Sequence, residues 1–280
     1  MGHMTAAAAN AQHDNAEGRR IAGHGTPDAD WQAWAGLFQL PAVAVRELVA
    51  PQQRAVIVAP HPDDEVLACG GLLQLLAAQG TRTVLVAATD GDASHPGSSL
   101  WTPPQLAHLR SGETAAALNV LFSPAPSAAP TMSAVNAGAP VRVIRARLPD
   151  GGVTAHCAEL QTLLEQLLRP DDVVFVTWRH DGHPDHEACG HAAATAARAC
   201  GAALVEMPVW TWHWAAPGDV RVPWQRARRL ALPPAVLQRK QQAIACYTSQ
   251  LLPDPSTGAD PILPPHVLAR LTHPYEVYFP

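Results

Sequence analysis

Apolar positions first take up a regular rhythm near residue 31. Trp31, Trp34, Leu37 and Phe38 recur at helical spacing, and a second short helix is expected from about Pro41 to Val49. Together they predict a cover packed on the main body. Beyond them, short unbroken apolar runs alternate with helical ones. AVIVA at 55–59 and TVLVAA at 83–88 predict strands, and Glu65 to Ala78, halted by Gly80, predicts the helix between them. That is a βαβ unit. A helix over Pro103–Asn119, a strand over Val141–Ala146, a helix from about Ala155 to Leu168, a strand over Asp172–Trp178 and a helix over Pro184–Cys200 continue the alternation. Strands covered on both faces read as continuous apolar runs, so an α/β sandwich with a mostly parallel sheet is predicted.

After Ala203 the texture changes. VEMPVWTWHW at 205–214 alternates roughly with period two, which would place Trp210, Trp212 and Trp214 on one strand face; strand aromatics of this kind belong to a core more often than to a sugar site. A helix is expected from about Pro234 to Tyr247 and a loop over Pro253–Pro265. The Pro-, Ala- and Ser-rich stretch at about 123–140 has neither period and is expected to be a mobile surface loop within one domain. Residues 1–26 lack any apolar period and begin like a cloning remnant, so they are read as a disordered tag and tail, and 27–280 as a single domain.

Composition narrows the functions open to such a chain. Its 280 residues, 48% hydrophobic and 15% charged, exclude a disordered protein. A net charge of -5 supplies no attraction to phosphate backbones or anionic lipid, so nucleic acid is not an expected partner. No apolar run approaches the roughly 18 residues of a span and no signal-peptide pattern opens the chain, so neither membrane insertion nor export is expected. The five cysteines, Cys69, Cys157, Cys189, Cys200 and Cys246, form no Cys-x-x-Cys pair and suit a reducing cytoplasm. Cys69, on an apolar helix beside Gly70 and Gly71, reads as packing rather than a nucleophile. Fourteen histidines against 19 Lys plus Arg is the feature that directs the search, because His is the commonest metal ligand.

Two of those histidines open echoing motifs. His61 begins His-Pro-Asp-Asp-Glu and His183 begins His-Pro-Asp-His-Glu; each follows a strand-like run and starts a helix. Proline makes its predecessor extended and itself suits the first helical position, so both histidines should lie just outside carboxyl strand ends. Ligands of open α/β sheets bind at that edge. Each carboxylate taken singly, Asp63, Asp64, Glu65, Asp185 or Glu187, can be a helix-start residue favoured by the dipole. The two motifs together are not explained that way. His61 and Asp64, three apart, can face one point, and His186 would come from the second motif: two imidazoles and one carboxylate, the donor set of an open catalytic zinc site. Asp63 and His183 are then left for proton chemistry.

With these residues the sequence resembles the PIG-L/LmbE-like family of zinc-dependent N-deacetylases. The resemblance runs from about Ala55 to the C-terminus and rests on APHPDDE (59–65), TDGD (89–92), LRSGE (109–113), LPDG (148–151), HPDH (183–186) and TSQ (248–250), the first and fifth being specific as a pair. It implies a Rossmann-like three-layer sandwich with helices on both faces. It also implies Zn2+ held by His61, Asp64 and His186, Asp63 as general base and His183 as second catalytic group. Arg110 and Asp150 match positions that look like sugar contacts, and Asp92, which stands where the family often has Glu or Asp, is grouped with them as substrate-binding. Asp185 would orient His183 or remain a helix-start carboxylate, and Arg110 could instead pair with Glu113 or Glu165. His180, Asp181 and His191 have no fixed role by this match and are read as solvated, capping or supporting groups.

The expected activity is removal of an N-acetyl or other N-acyl group from a small amino-sugar compound. Alternatives are a zinc amidase or esterase on a non-sugar metabolite, an Fe(II) enzyme using the same facial triad, or a binding module. The Fe(II) reading conflicts with alternating strands and helices, and mere binding would not need Asp63 and His183. A dinucleotide enzyme lacks its Gly-x-Gly-x-x-Gly.

Overall fold

A computed structural model describes residues 18–123 and 141–280. Its centre is a parallel sheet of five strands, β1 (Arg54–Ala59), β2 (Thr83–Thr89), β3 (Val141–Leu148), β4 (Asp172–Thr177) and β5 (Ala203–Met207), in the order β3-β2-β1-β4-β5. The inner strands β1 and β4 are buried at every residue, in keeping with their unbroken apolar sequences. Their side chains alternate between two cores. Ala55, Ile57, Val173 and Phe175 face one layer with α4 (Asp64–Gln79) and α5 (Pro103–Phe122). Val56, Val58, Val174 and Val176 face the other, with α6 (Cys157–Leu167) and α7 (Pro184–Cys200). This is the α/β three-layer architecture expected, and the strands and helices predicted between residues 55 and 200 fall where the apolar runs placed them. Gly80 stops α4 with φ 76°, a left-handed geometry that glycine adopts without steric cost.

The strand order carries a functional consequence. From β1 the chain passes to β2 on one side, whereas β4 lies on the other, so the order reverses between β1 and β4. At such a switch point the loops leaving the two carboxyl ends diverge and open a crevice. Residues 60–63 leave β1 there, and residues 178–183 leave β4.

Several elements differ from expectation. The N-terminal helical rhythm splits at Trp34 into α1 (Asp28–Ala33) and α2 (Ala35–Gln39), with Trp31 and Leu37 buried and Phe38 exposed; the expected second helix shrinks to α3 (Val45–Leu48). The expected Trp strand face does not form. β5 ends at Met207, Pro208 follows, and the chain turns into α8 (Thr211–Trp214). The cause is the buried Asp181 carboxylate, which accepts the backbone N–H groups of Val209, Trp210 and Thr211 and curls the segment around itself. The three rings then diverge: Trp212 packs edge-on against Trp31, Trp214 stacks on Trp178, and Trp210 meets His213.

The C-terminal part adds β6 (Arg228–Ala231), α9 (Pro234–Ile244), α10 (Thr248–Leu251), α11 (Pro265–Ala269) and β7 (Tyr275–Tyr278). β6 and β7 form a small antiparallel sheet tied to β5 by a Glu206–Phe279 bridge. They were not predicted, being only four residues long each and mixed in polarity. The tail reading ends too late. Residues 18–26 lie on the body: Arg19 is buried and pairs with Glu187, and Thr26 N–H donates to His213 O. Apolar periodicity is blind to such polar anchors. The loop expected at about 123–140 lies, from 124 on, outside the described residues. No helix among the described residues is long and apolar enough to cross a membrane.

Candidate active site

Both echoing motifs converge at the switch point. The chain leaves β1 at Ala59, and His61-Pro62 swings outward before Asp64 opens α4. His61 Nδ1 lies 3.3 Å from Asp64 Oδ2. From the second motif, on the first turn of α7, His186 Nε2 lies 3.2 Å from the same oxygen. The His61, His183 and His186 rings pack against one another with centroids 4.8 to 5.4 Å apart. These three imidazoles could present nitrogens to one ion, and His61 with the carboxylate oxygens of Asp150 and Asp185 forms a second such group.

Each histidine beside Asp64 is backed by carboxylate. His186 Nδ1 is 2.8 Å from Asp181 Oδ2, and His61 Nε2 is 3.2 Å from both Asp150 Oδ1 and Asp185 Oδ2. Such partners hold the proton on the outer nitrogen and leave the inner lone pair free, as in metal-ligating histidines. The inner nitrogens thus face an anionic oxygen, acceptor against acceptor. His186 Nε2 is fully buried and makes no hydrogen bond despite its approach to Asp64. A buried orphan acceptor against a carboxylate calls for a cation between them. The residues therefore fit one divalent ion, which His61, Asp64 and His186 could hold with further positions open.

Electrostatics bear the strain of this arrangement. Burial alone would raise Asp64, but His186 and His61 beside it hold its pKa well below the usual carboxylate range. Burial opposes the proton on His186, yet Asp64 and Asp181 raise its pKa to about 9, so without a metal a proton occupies the gap. Asp63 is pushed up to about 8 by burial, against the pull of Arg110 and with help from Asp64 and Glu65. His183 falls well below its ordinary value through burial and the nearby His61 and His186 charges. Its Nδ1 accepts the Asp185 backbone N–H at 3.2 Å, which assigns the ring proton to Nε2.

A cavity of about 750 Å³ joins these groups to a broad surface opening. Asp63, Asp64, Arg110, Asp150 and His183 line its polar end; Leu67, Trp212 and Val267 line its apolar side, and Ile21–His24 of the N-terminal segment form part of the rim. The remaining expected residues are placed as follows. Arg110 pairs with neither Glu113 nor Glu165. It is buried and donates to Asp63 Oδ2 (3.0 Å), Pro62 O (2.6 Å) and Gly91 O (3.1 Å). Gly91 of TDGD, at φ 70°, leaves room for this guanidinium, since a Cβ there would land on it. Glu113 instead accepts from Thr248 Oγ1, Ser249 N and Ser249 Oγ, which gives the late TSQ motif its structural role.

Asp150 was expected beside a sugar; its Oδ1 meets His61 and its Oδ2 accepts Ala93 N–H, although the residue still borders the cavity. Asp92 is half-buried and is not among the cavity-lining residues. The side chain of Asp185 does not touch His183. It accepts from Gly151 N and Val153 N and meets His61, locking the LPDG loop onto α7, so only its backbone N–H orients His183.

Sequence reasoning left three contributors without roles. Asp181 lies five residues before His186 on an irregular loop, a spacing no periodicity marks. Glu65 was read only as a helix-start carboxylate, and Tyr247 only as the end of a helix, yet the two are hydrogen-bonded in the core beneath Asp63.

Comparison with known proteins bears on the family and the fold. A curated protein of Rhodococcus erythropolis (strain PR4 / NBRC 100887), 1D-myo-inositol 2-acetamido-2-deoxy-alpha-D-glucopyranoside deacetylase, is 30% identical over 171 residues, 54% of this chain and 54% of that one. The chain thus spans about half the length of the curated relative it matches. Among solved structures, the A40926 pseudoaglycone deacetylase Dbv21 superposes with a TM-score of 0.54 at 19% identity, covering 82% of this chain and 97% of its own. A triple mutant of a deacetylase from the teicoplanin biosynthetic pathway does so with a TM-score of 0.54 at 19% identity, covering 81% and 97%. These two likenesses are of fold. The family model described as PIG-L, GlcNAc-PI de-N-acetylase, matches residues 56–197, a stretch that holds both His-Pro-Asp motifs, most of β1 and all of β2, β3 and β4. The chain belongs to the PIG-L family.

Proposed function

We propose that the protein is a metal-dependent N-deacetylase that hydrolyses the N-acyl group of a small amino-sugar compound. One observation carries this reading: the orphan His186 Nε2 is buried 3.2 Å from Asp64 Oδ2, and Asp64 and His61 line the same cavity as Asp63 and His183. His61, Asp64 and His186 would hold the ion, with Zn2+ the metal expected for two imidazoles and one carboxylate. When bound, such an ion lowers the pKa of a water and polarises an amide carbonyl.

The chain's own groups supply the rest. Asp63, the carboxylate next to the ligand Asp64, takes the proton from the attacking water. Arg110 donates to Asp63 Oδ2 and opposes the effect of burial, drawing the Asp63 pKa down towards neutrality, where a general base works. His183 Nε2–H faces the cavity as a neutral donor for the amide oxygen as negative charge develops on it. The depressed pKa of His183 makes it a hydrogen-bond donor rather than a standing cation. A cavity of about 750 Å³ accommodates more than one sugar ring, so the amino sugar is read as part of a larger small molecule.

The test is acetate release from a panel of N-acetylated amino sugars, with and without prior removal of metal by a chelator. Release that disappears on chelation and returns with Zn2+ is the expected outcome. Release from simple acyl amides or esters but from no sugar would favour a zinc amidase or esterase instead.

A further inference from the structure

Asp63 has a backbone that few residues tolerate. Its φ of 131° and ψ of -33° lie outside the favoured regions, and Arg147 is the other described non-glycine residue with positive φ. Such geometry persists only where its surroundings impose it. Two restraints are visible. Arg110 donates to Pro62 O, the carbonyl just before Asp63, at 2.6 Å. On the other side of that peptide, the Asp63 N–H donates to Glu65 Oε2 at 3.1 Å.

Glu65 reaches back to the N-cap backbone N–H as a helix-start carboxylate can, but it does more than that. It is 1% exposed, turned back beneath the loop, and its second oxygen accepts the Tyr247 hydroxyl at 2.6 Å. Tyr247 is fully buried at the junction of α9 and α10, and the next two residues are tied to Glu113 on α5. Neither Glu65 nor Tyr247 lines the cavity, so neither touches substrate. Burying a carboxylate costs free energy unless it is hydrogen-bonded on both oxygens, and here both bonds converge on the peptide of one residue and its anchor.

We propose that Glu65 and Tyr247 form a buried strut that holds Asp63 in its strained backbone conformation and thereby aims its carboxylate into the cavity. They are positioning residues, and the proposal rests on Asp63 acting as the base. Removing the strut lets the peptide relax, which misdirects the carboxylate while leaving His61, Asp64 and His186 in place. A misplacement of about 1 Å at a reacting group lowers turnover on the order of 100-fold.

The experiment compares Tyr247→Phe, which deletes one hydroxyl, Glu65→Gln, which keeps the shape but loses an acceptor oxygen, the double variant, and Asp63→Asn. Metal content, thermal melting, kcat and KM are measured for each. Both single variants are expected to lose roughly 10- to 100-fold in kcat with KM and bound metal changed less than about twofold, and the double variant to be no worse than the poorer single one. Wild-type kcat in the two single variants alongside an inactive Asp63→Asn would overturn the strut while leaving the base intact. Loss through KM or through metal content would overturn it as well. A fully active Asp63→Asn would instead remove the base and the strut with it. If Tyr247→Phe does not fold, Glu65→Gln carries the same comparison, because it leaves the tyrosine in place.

Discussion

Asp63, the proposed base, has its carboxyl pushed up to about 8 by burial, with Arg110 pulling the other way. Asp63→Asn should retain metal and lose on the order of 10² to 10⁴ in kcat, read from acetate release beside metal content. The same shift has a signature in stability. A carboxyl with a folded pKa above its unfolded one favours the folded state only while protonated, so its cost is absent below about pH 4 and fully present above about pH 8. Asp63→Asn should therefore raise the melting temperature of the metal-free protein at pH 9 and leave it nearly unchanged at pH 4. His186 tests the metal. Its pKa of about 9 without metal, and the pKa of His61, which Asp150, Asp185 and Asp64 raise against burial, mean that protons compete for both ligand positions, so metal affinity measured by chelator competition should climb by more than about tenfold per pH unit between pH 6 and 9. A flat profile would remove His186 from the ligand set. At this scale the paired motifs marked His61, Asp64, His183 and His186 because histidine and carboxylate are scarce in apolar helices. Asp181 is legible only as one of several supporting groups near the second motif, and the role of Tyr247 not at all, because a residue that acts through another leaves no spacing to recognise.

The helix α4 carries Asp64 on its first turn, and it is not continuous. At Cys69 its backbone departs to φ -142°, breaking the ladder between Asp64–Ala68 and the second half. The break is closed by side chains from the far end of the chain. Glu276 of β7 accepts from Gly71 N at 2.7 Å and Leu72 N at 2.8 Å, while Lys240 of α9 donates to Leu67 O and Glu276 Oε1, both at 2.8 Å. Both charged groups are buried. Removing one partner of such a pair strands the other, so Glu276→Ala should cost about 3–5 kcal/mol in denaturant unfolding. Replacing Lys240 and Glu276 together by apolar residues should cost less than that single change. Apolar period alone shows α4 as one helix, since a break that preserves the buried face leaves the pattern intact. The period also misreads 205–214: alternation requires an extended backbone, and the Asp181 carboxylate curls that backbone instead.

Over the whole molecule, the site is assembled from segments far apart in the chain. Residues 18–26 reach it through Arg19–Glu187 and through Ile21–His24 at the cavity rim. Deleting residues 1–26 should raise KM more than it lowers kcat and leave metal content unchanged, checked by steady-state kinetics beside metal analysis. The amino-acid sequence by itself determines the alternation of strands and helices, the parallel sheet and the two motifs at carboxyl strand ends. These follow from local preference and from burial on both faces, which act residue by residue along the chain. Only the tertiary structure decides that Arg110 grips Asp63 rather than Glu113, that Asp150 and Asp185 back His61, and that Glu65 and Tyr247 meet beneath Asp63. A buried carboxylate takes whichever donors the fold brings within about 3 Å, and that choice depends on how distant elements pack, which no local pattern encodes.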